Sequence, residues 1–349
     1  MENSSRKIDF LAIGDMVTDA FIRVNEATVH EDDNGEQKLC FAYGDKVPYQ
    51  FVEVIPAVGN SANAAVSAAR LGLSSALVAD IGGDSQGKEC TARLQLEKVA
   101  IPYVATHSDM KTNYHYVLWF EKDRTILVKH EKYPYALPAS LKNTPTGQGP
   151  SWIYLSSLGE TSLNYHKEIE EFLAAHPETK LAFQPGTFQM KFGTAALGRL
   201  YSQSEIFFCN VEEAERILAV APQETSTLSE RHALVKKLLI SLHTLGPKKV
   251  VITDGPSGSY ALEDNKTWFL SAYPDQKPAY ERTGAGDAFA STTTVAIIKG
   301  KTLAEGMKWG SINSMSVVQE IGAQKGLLNE TTISTFLSSG PTGWDAKDI

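Results

Sequence analysis

In the segment ERTGAGDAFA, residues 281–290, two glycines and then the carboxylate of Asp287 stand at the start of an apolar, helix-forming run. A glycine-rich turn before a helix can bind an anion through backbone N–H groups that have no partner within the helix. Asp287 then has two interpretations. It stabilises the positive end of the helix dipole, or it accepts a proton from a molecule bound beside the anion. Taken alone, the motif favours the first interpretation, so the rest of the chain has to decide between them.

Polar residues follow two further short apolar runs. NVEEAE begins with Asn210 and has Glu213 three residues later. This spacing is typical of a helix N-cap, and it also suits a polar pair near Mg²⁺ or its water shell. VITDGPSGSY has Thr253, Gly255 and Gly258 where a strand is expected to end. Ligands bind outside the carboxyl ends of the strands in open α/β sheets, so we expect these turns to gather at one edge of the sheet.

A third group of polar residues lies near the N-terminus. GDMVTDAF contains Asp15 and Asp19, and AVGNSANAA contains Gly59, Asn60 and Asn63. Carboxylates accept hydrogen bonds from sugar hydroxyls, amides both donate and accept, and glycine allows a ligand to approach the backbone closely. Each of these residues is also ordinary in a turn or at a helix N-terminus, so the purely structural interpretation stays open for each one on its own.

Two segments resemble nucleotide-binding motifs, but each lacks one residue that its motif requires. IGGDSQGKEC has Gly82, Gly87 and Lys88 at nearly the spacing of a P-loop, but Glu89 replaces the Ser or Thr that reaches Mg²⁺. A carboxylate there would repel phosphate, so a turn followed by a helix is the better interpretation. TGAGDAFA has Phe289 where a dinucleotide fingerprint needs its third glycine, which disfavours a dehydrogenase.

The elements that must position these residues follow an alternating pattern. Short apolar runs such as IDFLAIGD, SSALVADIGGD, SWIYLSS and SEIFFCN alternate with segments of helical period such as SANAAVSAARLGL and VEEAERILAV. This alternation predicts an α/β fold, a three-layer Rossmann-like domain with a mostly parallel central sheet covered on both faces. We expect one domain over residues 1–338 and a mobile tail over 339–349.

Three segments interrupt this pattern, near residues 17–24, 39–55 and 102–130. They lack helical period and are rich in aromatic and β-branched residues, which predicts strands. We expect them to form a small separate β-sheet that acts as a lid over the site or as an interface. The aromatic residues in these segments either stack on a nucleoside base or form the core of the lid. They are Phe41, Tyr43, Tyr114, Tyr116 and Trp119.

Composition excludes several classes of protein. The net charge of −8, from 33 basic and 41 acidic residues, argues against general binding to nucleic acid or to a membrane surface. The three cysteines are far apart and form no C-x-x-C, so neither a disulfide framework nor a zinc site is expected and a reducing cytosol fits. There is no apolar signal-peptide region and no run of eighteen apolar residues. We therefore expect a soluble, cytoplasmic protein.

Taken together and in order, these motifs resemble the ribokinase-like, PfkB-type carbohydrate kinases. ERTGAGD resembles the family's D-T-x-G-A-G-D signature, with Glu281 and Arg282 in place of Asp and Thr. VGNSANAA keeps Gly59 and Asn63 of the G-G-x-x-x-N signature and has Val58 in place of its first glycine. The segments IGGD, NVEE, TDGPSG and GAQKG match in the family's order. A single motif would be weak, but six in order form a specific pattern.

The resemblance covers residues 8–328 and implies an ATP-dependent kinase that uses Mg²⁺ and phosphorylates a hydroxyl of a small sugar. It implies that Asp287 is the general base and that the backbone of Gly284, Ala285 and Gly286 forms the anion hole for the transferred phosphoryl group. It implies acceptor binding by Asp15, Asp19, Gly59, Asn60 and Asn63. It implies nucleotide binding by Asn210, Thr253, Gly255, Gly258 and Thr283, and ordering of Mg²⁺ through water by Glu213.

The departures from the family leave the acceptor open. Val17 stands where ribokinases have Asn, and Asn60 stands where they have Lys, which argues against ribose. A nucleoside kinase of the same family is the alternative, and a non-catalytic nucleotide- or sugar-binding protein is the third. The lid is often also a dimer surface in this family, so a homodimer through the lid is expected.

Overall fold

The structure is a computed structural model that describes residues 7–33, 35–121 and 123–349. Residues 1–6 of the expected domain and residue 122 of the expected lid segment 102–130 lie outside the described residues. The strands are β1 (Phe10–Ile13), β2 (Val17–Val24), β3 (Thr28–Glu31), β4 (Gln37–Cys40), β5 (Tyr49–Val58), β6 (Ser75–Gly82), β7 (Ala100–His107), β8 (Asn113–Phe120), β9 (Asp123–Leu127), β10 (Trp152–Leu155), β11 (Lys180–Phe183), β12 (Ser204–Asn210), β13 (Lys249–Thr253), β14 (Ser259–Glu263), β15 (Lys266–Leu270) and β16 (Lys347–Asp348). The helices are α1 (Asn60–Arg70), α2 (Ser85–Leu96), α3 (Ala139–Lys142), α4 (Leu163–Ala175), α5 (Thr187–Ala196), α6 (Gly198–Gln203), α7 (Val211–Ile217), α8 (Leu228–His243), α9 (Ala285–Ile298), α10 (Leu303–Val317) and α11 (Glu330–Ser338).

The central sheet has the strand order β16-β15-β14-β13-β12-β11-β10-β1-β6-β7. The strands from β13 to β7 pair in parallel, and β14, β15 and β16 add an antiparallel edge. The inner strands are short and fully apolar, as the sequences FLAI of β1 and WIYL of β10 illustrate, and every residue in both is buried. Both faces of a parallel sheet are covered by helices, so the predicted α/β fold is confirmed.

Alternate side chains of β1 pack against different helical layers, one on each face of the central sheet. Phe10 and Ala12 belong to the core that includes residues of α1, α9 and α10, while Leu11 and Ile13 belong to the core that includes residues of α4 and α8. Successive side chains of a strand point to opposite faces, so one tetrapeptide contributes to both cores. No helix in the described part of the chain is long and apolar enough to cross a membrane.

A second sheet of four strands, in the order β5-β2-β8-β9, forms the lid. The segment 17–24 is β2 itself. The segment 39–55 divides, because β5 joins the lid whereas β4 pairs with β3 in a separate two-stranded sheet. The expectation that 102–130 belongs to the lid was wrong for its first part. Residues 100–107 form β7, which pairs in parallel with β6 at the edge of the central sheet. Aromatic and β-branched content predicts a strand, but it does not say which sheet the strand joins.

The C-terminal tail, for which we expect mobility, makes several contacts with the central sheet and its helices. β16 pairs with β15, and the backbone oxygen of Ile349 accepts hydrogen bonds from Lys236 and Thr267. The indole of Trp344 lies against Tyr273 with ring centroids 4.9 Å apart. The paired segment is only two residues long and has no apolar run, so its pairing depends on contacts made by distant residues.

Candidate active site

A cavity of about 160 Å³ lies where the lid meets the central sheet. It is lined by Asp15, Val17, Asp19, Gly59, Asn60, Asn63, His115, His130, Ser157, Thr283 and Asp287. The structure therefore brings all five acceptor-binding candidates to one place, together with Asp287 and Thr283. Short connections explain part of this arrangement. β5 ends at Val58 and α1 begins at Asn60, so a lid strand passes almost directly into a helix of the body.

The carboxylate of Asp287 is held by three side-chain amides. Asn60 Nδ2 donates to Oδ1 at 2.8 Å, Asn63 Nδ2 donates to Oδ2 at 2.8 Å, and Gln184 Nε2 donates to Oδ1 at 3.2 Å. Burial raises the pKa of Asp287, the three amide hydrogen bonds lower it, and the nearby charge of Asp19 raises it, with a net shift upward. A fixed carboxylate with a raised pKa, facing a cavity, is suited to accept a proton.

Gly284 precedes α9 in a left-handed conformation, with φ of +80°. A Cβ atom at this position would lie 2.2 Å from the Cβ of Ala323, so only glycine allows the GAQKG segment to pack this closely. No side chain caps the helix here. The first backbone N–H groups of α9 have no intrahelical acceptor, and Gly286 among them is exposed to solvent. This end of the helix can therefore receive an anion beside Asp287.

Two glutamines that the sequence interpretation did not single out hold the site in place. Gln184 follows β11, and its Oε1 accepts a hydrogen bond from the hydroxyl of Tyr154. Gln324 donates to Asn63 Oδ1 at 3.1 Å and to the backbone oxygen of Ala57 at 2.6 Å. Gln324 belongs to the GAQKG segment and Gln184 lies at a strand end, so both positions were visible in the sequence, although their role was not.

The cavity contains two further carboxylates with polar partners. Asp15 Oδ1 accepts a hydrogen bond from the Tyr135 hydroxyl at 2.7 Å, and its Oδ2 lies 3.2 Å from His130 Nδ1. Asp19 Oδ1 lies 3.4 Å from His115 Nδ1. Both histidines were missed from the sequence, because nothing in their local pattern distinguishes them from other lid residues. Asp15, Asp19 and the two histidines together surround a space that suits hydroxyl groups.

The backbone conformation at position 59, between β5 and α1, requires a glycine. Its φ is +103°, and a Cβ atom would lie 2.8 Å from the backbone oxygen of Asp15. A larger residue would push the start of α1 away from the turn that carries Asp15 and would distort this part of the cavity.

Asn210 and Glu213 form a reciprocal cap at the start of α7. Asn210 Oδ1 accepts from the Glu213 N–H at 2.8 Å, and Glu213 Oε2 accepts from the Asn210 N–H at 2.9 Å. Burial raises the pKa of Glu213, and the charge of Asp287 raises it further. The pair therefore caps the N-terminus of α7, as its spacing predicts. The carboxylate of Glu213 also lies close enough to that of Asp287 for their charges to interact.

The remaining nucleotide-binding candidates lie outside the cavity lining, at the carboxyl ends of adjacent strands. Thr253 is the register partner of Asn210 across β12 and β13. Gly255 begins a single 3₁₀ turn over Gly255–Ser257, and Gly258 ends it with φ of +122°. A Cβ atom at Gly258 would lie 2.2 Å from the backbone oxygen of Leu270. Of the five nucleotide-binding candidates, only Thr283 lines the cavity.

Comparisons with known proteins bear on the family and on the fold of the chain. The model of the pfkB family of carbohydrate kinases matches residues 52–330. The chain is 25% identical to an ATP-dependent 6-phosphofructokinase of Thermoanaerobacterium thermosaccharolyticum, over 95% of this chain and 94% of that protein. It is 23% identical to a nucleoside kinase of Methanothermobacter thermautotrophicus, over 90% of this chain and 91% of that protein. The structure of Arabidopsis thaliana ribokinase complexed with ribose and ATP aligns with a TM-score of 0.74 and 18% identity, over 95% of this chain and 99% of that one.

Proposed function

Because the chain belongs to the pfkB family of carbohydrate kinases, we propose that it transfers a phosphoryl group from ATP to a hydroxyl of a small sugar. Carbohydrate and nucleoside kinases are the relatives that it matches over most of its length. The observation that carries the proposal is the Asp287 carboxylate, fixed by three amides at the N-terminus of α9 and open to the cavity. The residues 1–338 act as one kinase domain in this proposal.

Asp287 is the general base of the proposed reaction. Its raised pKa makes it a better proton acceptor than an ordinary aspartate. The amides of Asn60, Asn63 and Gln184 hold the carboxylate in one orientation, so an acceptor hydroxyl in the cavity meets an oxygen that is already positioned. As the hydroxyl oxygen bonds to the γ-phosphorus, its proton passes to the Asp287 carboxylate, the bond between that phosphorus and ADP breaks, and ADP leaves with the bonding electron pair.

The N-terminus of α9 supplies the stabilisation of charge in this proposal. Phosphoryl transfer depends on positioning and on electrostatic stabilisation more than on covalent chemistry. The backbone N–H groups of Gly284, Ala285 and Gly286 act as the anion hole, and the helix dipole favours negative charge at the same place. The contact between Gly284 and Ala323 keeps this turn rigid while the γ-phosphate is transferred.

ATP binds along the carboxyl ends of β12 and β13 in this proposal. The residues that contact it are Asn210, Thr253, Gly255, Gly258 and Thr283. Glu213 uses Oε2 in the helix cap, and within the described residues no hydrogen bond reaches its Oε1, so this oxygen can accept from a water on Mg²⁺. Bound Mg²⁺ supplies positive charge against the phosphate oxygens. No cluster of three or more His, Cys, Asp or Glu that could hold a metal occurs among the described residues.

The lid has two roles in the proposal. Its inner face covers the acceptor and excludes water, which otherwise competes as a phosphoryl acceptor. Its outer face carries four residues that share one face by strand register and are 46–51% exposed. They are Val52, Val54, Tyr116 and Leu127. An apolar patch of this kind suits a second copy of the chain, so we propose a homodimer through the lid.

We also propose a cytoplasmic location, which suits the free thiols of Cys40, Cys90 and Cys209.

The second candidate, a nucleoside kinase, is favoured by a neighbouring cavity of about 310 Å³. His130 lines both cavities, and Val128 and Phe188 supply apolar surface to the second one. A base attached to a sugar in the first cavity could enter this space and contact the ring of Phe188.

An assay of ADP release coupled to a reporter enzyme tests the proposed function. It is run with ATP and Mg²⁺ over a panel of free pentoses, hexoses and nucleosides, with the product identified by mass spectrometry. We expect one free sugar to give the highest kcat/KM. A nucleoside as best acceptor would select the second candidate, and binding of ATP without transfer to any acceptor would favour the non-catalytic alternative.

A further inference from the structure

We propose that His115 and His130 bind the acceptor and, with Asp19 and Asp15, select an acceptor that is uncharged and rich in hydroxyl groups. This inference rests on the proposed function in one respect, namely that the cavity is the site where the acceptor binds. It names the substrate class and two residues that the family motifs do not contain.

The two histidines reach the cavity from different parts of the lid. His115 lies on β8 and is the direct register partner of Asp19 on β2, so the two side chains share one face of the lid sheet. His130 follows β9 and lies beside Asp15, which follows β1 of the central sheet. The two imidazole centroids are 5.1 Å apart. The histidines therefore lie side by side above the acceptor space, each next to one carboxylate.

His130 also packs against a residue that lies outside the lining of the first cavity. The ring of Phe188, on α5, meets the His130 ring edge-on with centroids 6.0 Å apart. Phe188 also lines the neighbouring cavity. Nδ1 of His130 lies 3.2 Å from Asp15 Oδ2 but makes no hydrogen bond within the described residues, so a hydroxyl of a ligand can still bond to it.

Four buried polar atoms in this group have no hydrogen-bond partner in the described part of the structure. They are Asp15 Oδ2, Asp19 Oδ1, His115 Nε2 and His130 Nδ1. The histidine–carboxylate separations of 3.2 and 3.4 Å are short enough for a charge interaction, but these atoms lack aligned hydrogen bonds. Buried polar atoms are nearly always satisfied, by protein, water or ligand. Four of them at one cavity indicate a ligand with several hydroxyl groups, each able to donate to a carboxylate and to accept from an imidazole.

The charges around the cavity indicate which hydroxylated molecules fit. Asp15, Asp19 and Asp287 supply three carboxylates, and neither lysine nor arginine is among the lining residues. A phosphate or carboxylate group on the acceptor would meet this negative charge at close range without a strong cation to pair with. An uncharged polyol avoids this repulsion and satisfies the orphaned atoms. The cavity therefore selects free sugars over sugar phosphates.

The first experiment measures acceptor and ATP kinetics for His115→Ala and His130→Ala, beside the conservative variants His115→Asn and His130→Asn. His30→Ala, at an exposed position on β3, is the matched control. We expect each alanine variant to raise the acceptor KM by about tenfold, as loss of one hydrogen bond to a substrate hydroxyl does, while the ATP KM stays within twofold. The asparagine variants should recover part of the loss. An acceptor KM within twofold of wild type in both alanine variants would overturn the proposal.

The second experiment separates this proposal from the proposed kinase function, because it needs no turnover. Histidine ring resonances are recorded by NMR while D-ribose, D-fructose or D-glucose is added, and then while the phosphate ester of each sugar is added. The signals of His115 and His130 are identified from the alanine variants. We expect both signals to shift with at least one free sugar and at a concentration at least tenfold lower than with its ester.

Each outcome of the two experiments has a separate meaning. Shifts without phosphoryl transfer support the acceptor site while contradicting the kinase function. Transfer to a sugar that leaves both histidine signals unmoved contradicts the histidine proposal alone. Tighter binding of a phosphate ester than of its free sugar contradicts the selection for an uncharged acceptor.

Discussion

Asn63 and Asp287 are 224 positions apart in the chain, yet Asn63 Nδ2 donates a hydrogen bond to Asp287 Oδ2 at 2.8 Å. This contact joins the first turn of α1 to the first turn of α9. Asn63 therefore has two roles, because it lines the cavity that we propose for the acceptor and also orients the carboxylate that we propose as the base. Gln324 holds the other atom of the Asn63 amide, so the orientation of the amide is determined on both sides.

Asp287→Asn tests the catalytic assignment. We expect a near-normal fold, retained affinity for ATP–Mg²⁺, and a kcat lower by roughly 10²–10⁴, because this is the usual contribution of a general base. Glu305→Gln, which changes an exposed acid in the first turn of α10, is the control for loss of helix-dipole stabilisation. Turnover of the best acceptor within about tenfold of wild type would show that Asp287 only stabilises the helix terminus.

Asn63→Ala should weaken acceptor binding more than ATP binding. Loss of a buried polar partner costs on the order of 1–3 kcal/mol, and release of the Asp287 carboxylate should lower kcat as well. Ser67→Ala is the control, because Ser67 lies one turn further along α1 and contacts Thr292 instead of Asp287. Calorimetry showing equal loss of affinity for both ligands would assign Asn63 a purely structural role.

The pH dependence of kcat/KM should report the raised pKa of Asp287. The base works only when it is deprotonated, so activity is present above this pKa and is lost as the pH falls through it. We expect the acid limb to lie above the usual aspartate value of 3.8, because burial disfavours the charged carboxylate. Asn60→Ala should move this limb to higher pH, since it removes a hydrogen bond that favours the ionised form. Movement to lower pH in that variant would contradict the assignment.

Gly284→Ala should destabilise the protein and lower activity. The substitution combines a left-handed backbone with a Cβ contact at 2.2 Å from Ala323. Gly300→Ala is a matched control, because Gly300 has the same φ of +80° and no atom within 4 Å of its added Cβ. Left-handed backbone alone costs about 1–2 kcal/mol, so Gly284→Ala should lose clearly more free energy of unfolding in urea than Gly300→Ala. Equal losses of unfolding free energy in the two variants would mean that the structure around Ala323 shifts to accommodate the added Cβ atom at little cost.

The apolar outer face of the lid should mediate dimer formation. Val54→Lys places a charge among the exposed residues of this face, so it should shift the mass measured by light scattering from dimer towards monomer. Val220→Lys, at an exposed apolar position outside the lid, should leave the mass unchanged. A monomeric wild type at assay concentrations would remove the lid surface as a dimer interface.

Much of the fold was determined by local sequence. Four-residue runs such as FLAI and WIYL are too apolar and too short for surface helices, and their alternation with segments of helical period allows little besides a parallel sheet with helices on both faces. The family was likewise readable from the order of the motifs, and the match to the family model over residues 52–330 confirms the family. The candidate residues Asp15, Asp19, Asn60 and Asn63 were identified from their types and positions, and they meet in one cavity with Asp287.

Only the tertiary structure decided which side chains complete the site and which sheet each strand joins. His115 and His130 carry no local signal, because their role depends on the register of β2 with β8 and on the turn after β1. Residues 100–107 and the final strand have the composition of ordinary strands and tails, and long-range pairing placed them in the central sheet. Periodicity depends only on residues that are neighbours in the sequence. A site is formed by residues that are far apart in the chain and are brought together by packing. The free energy of that packing comes from contacts between segments, so no single segment reveals it.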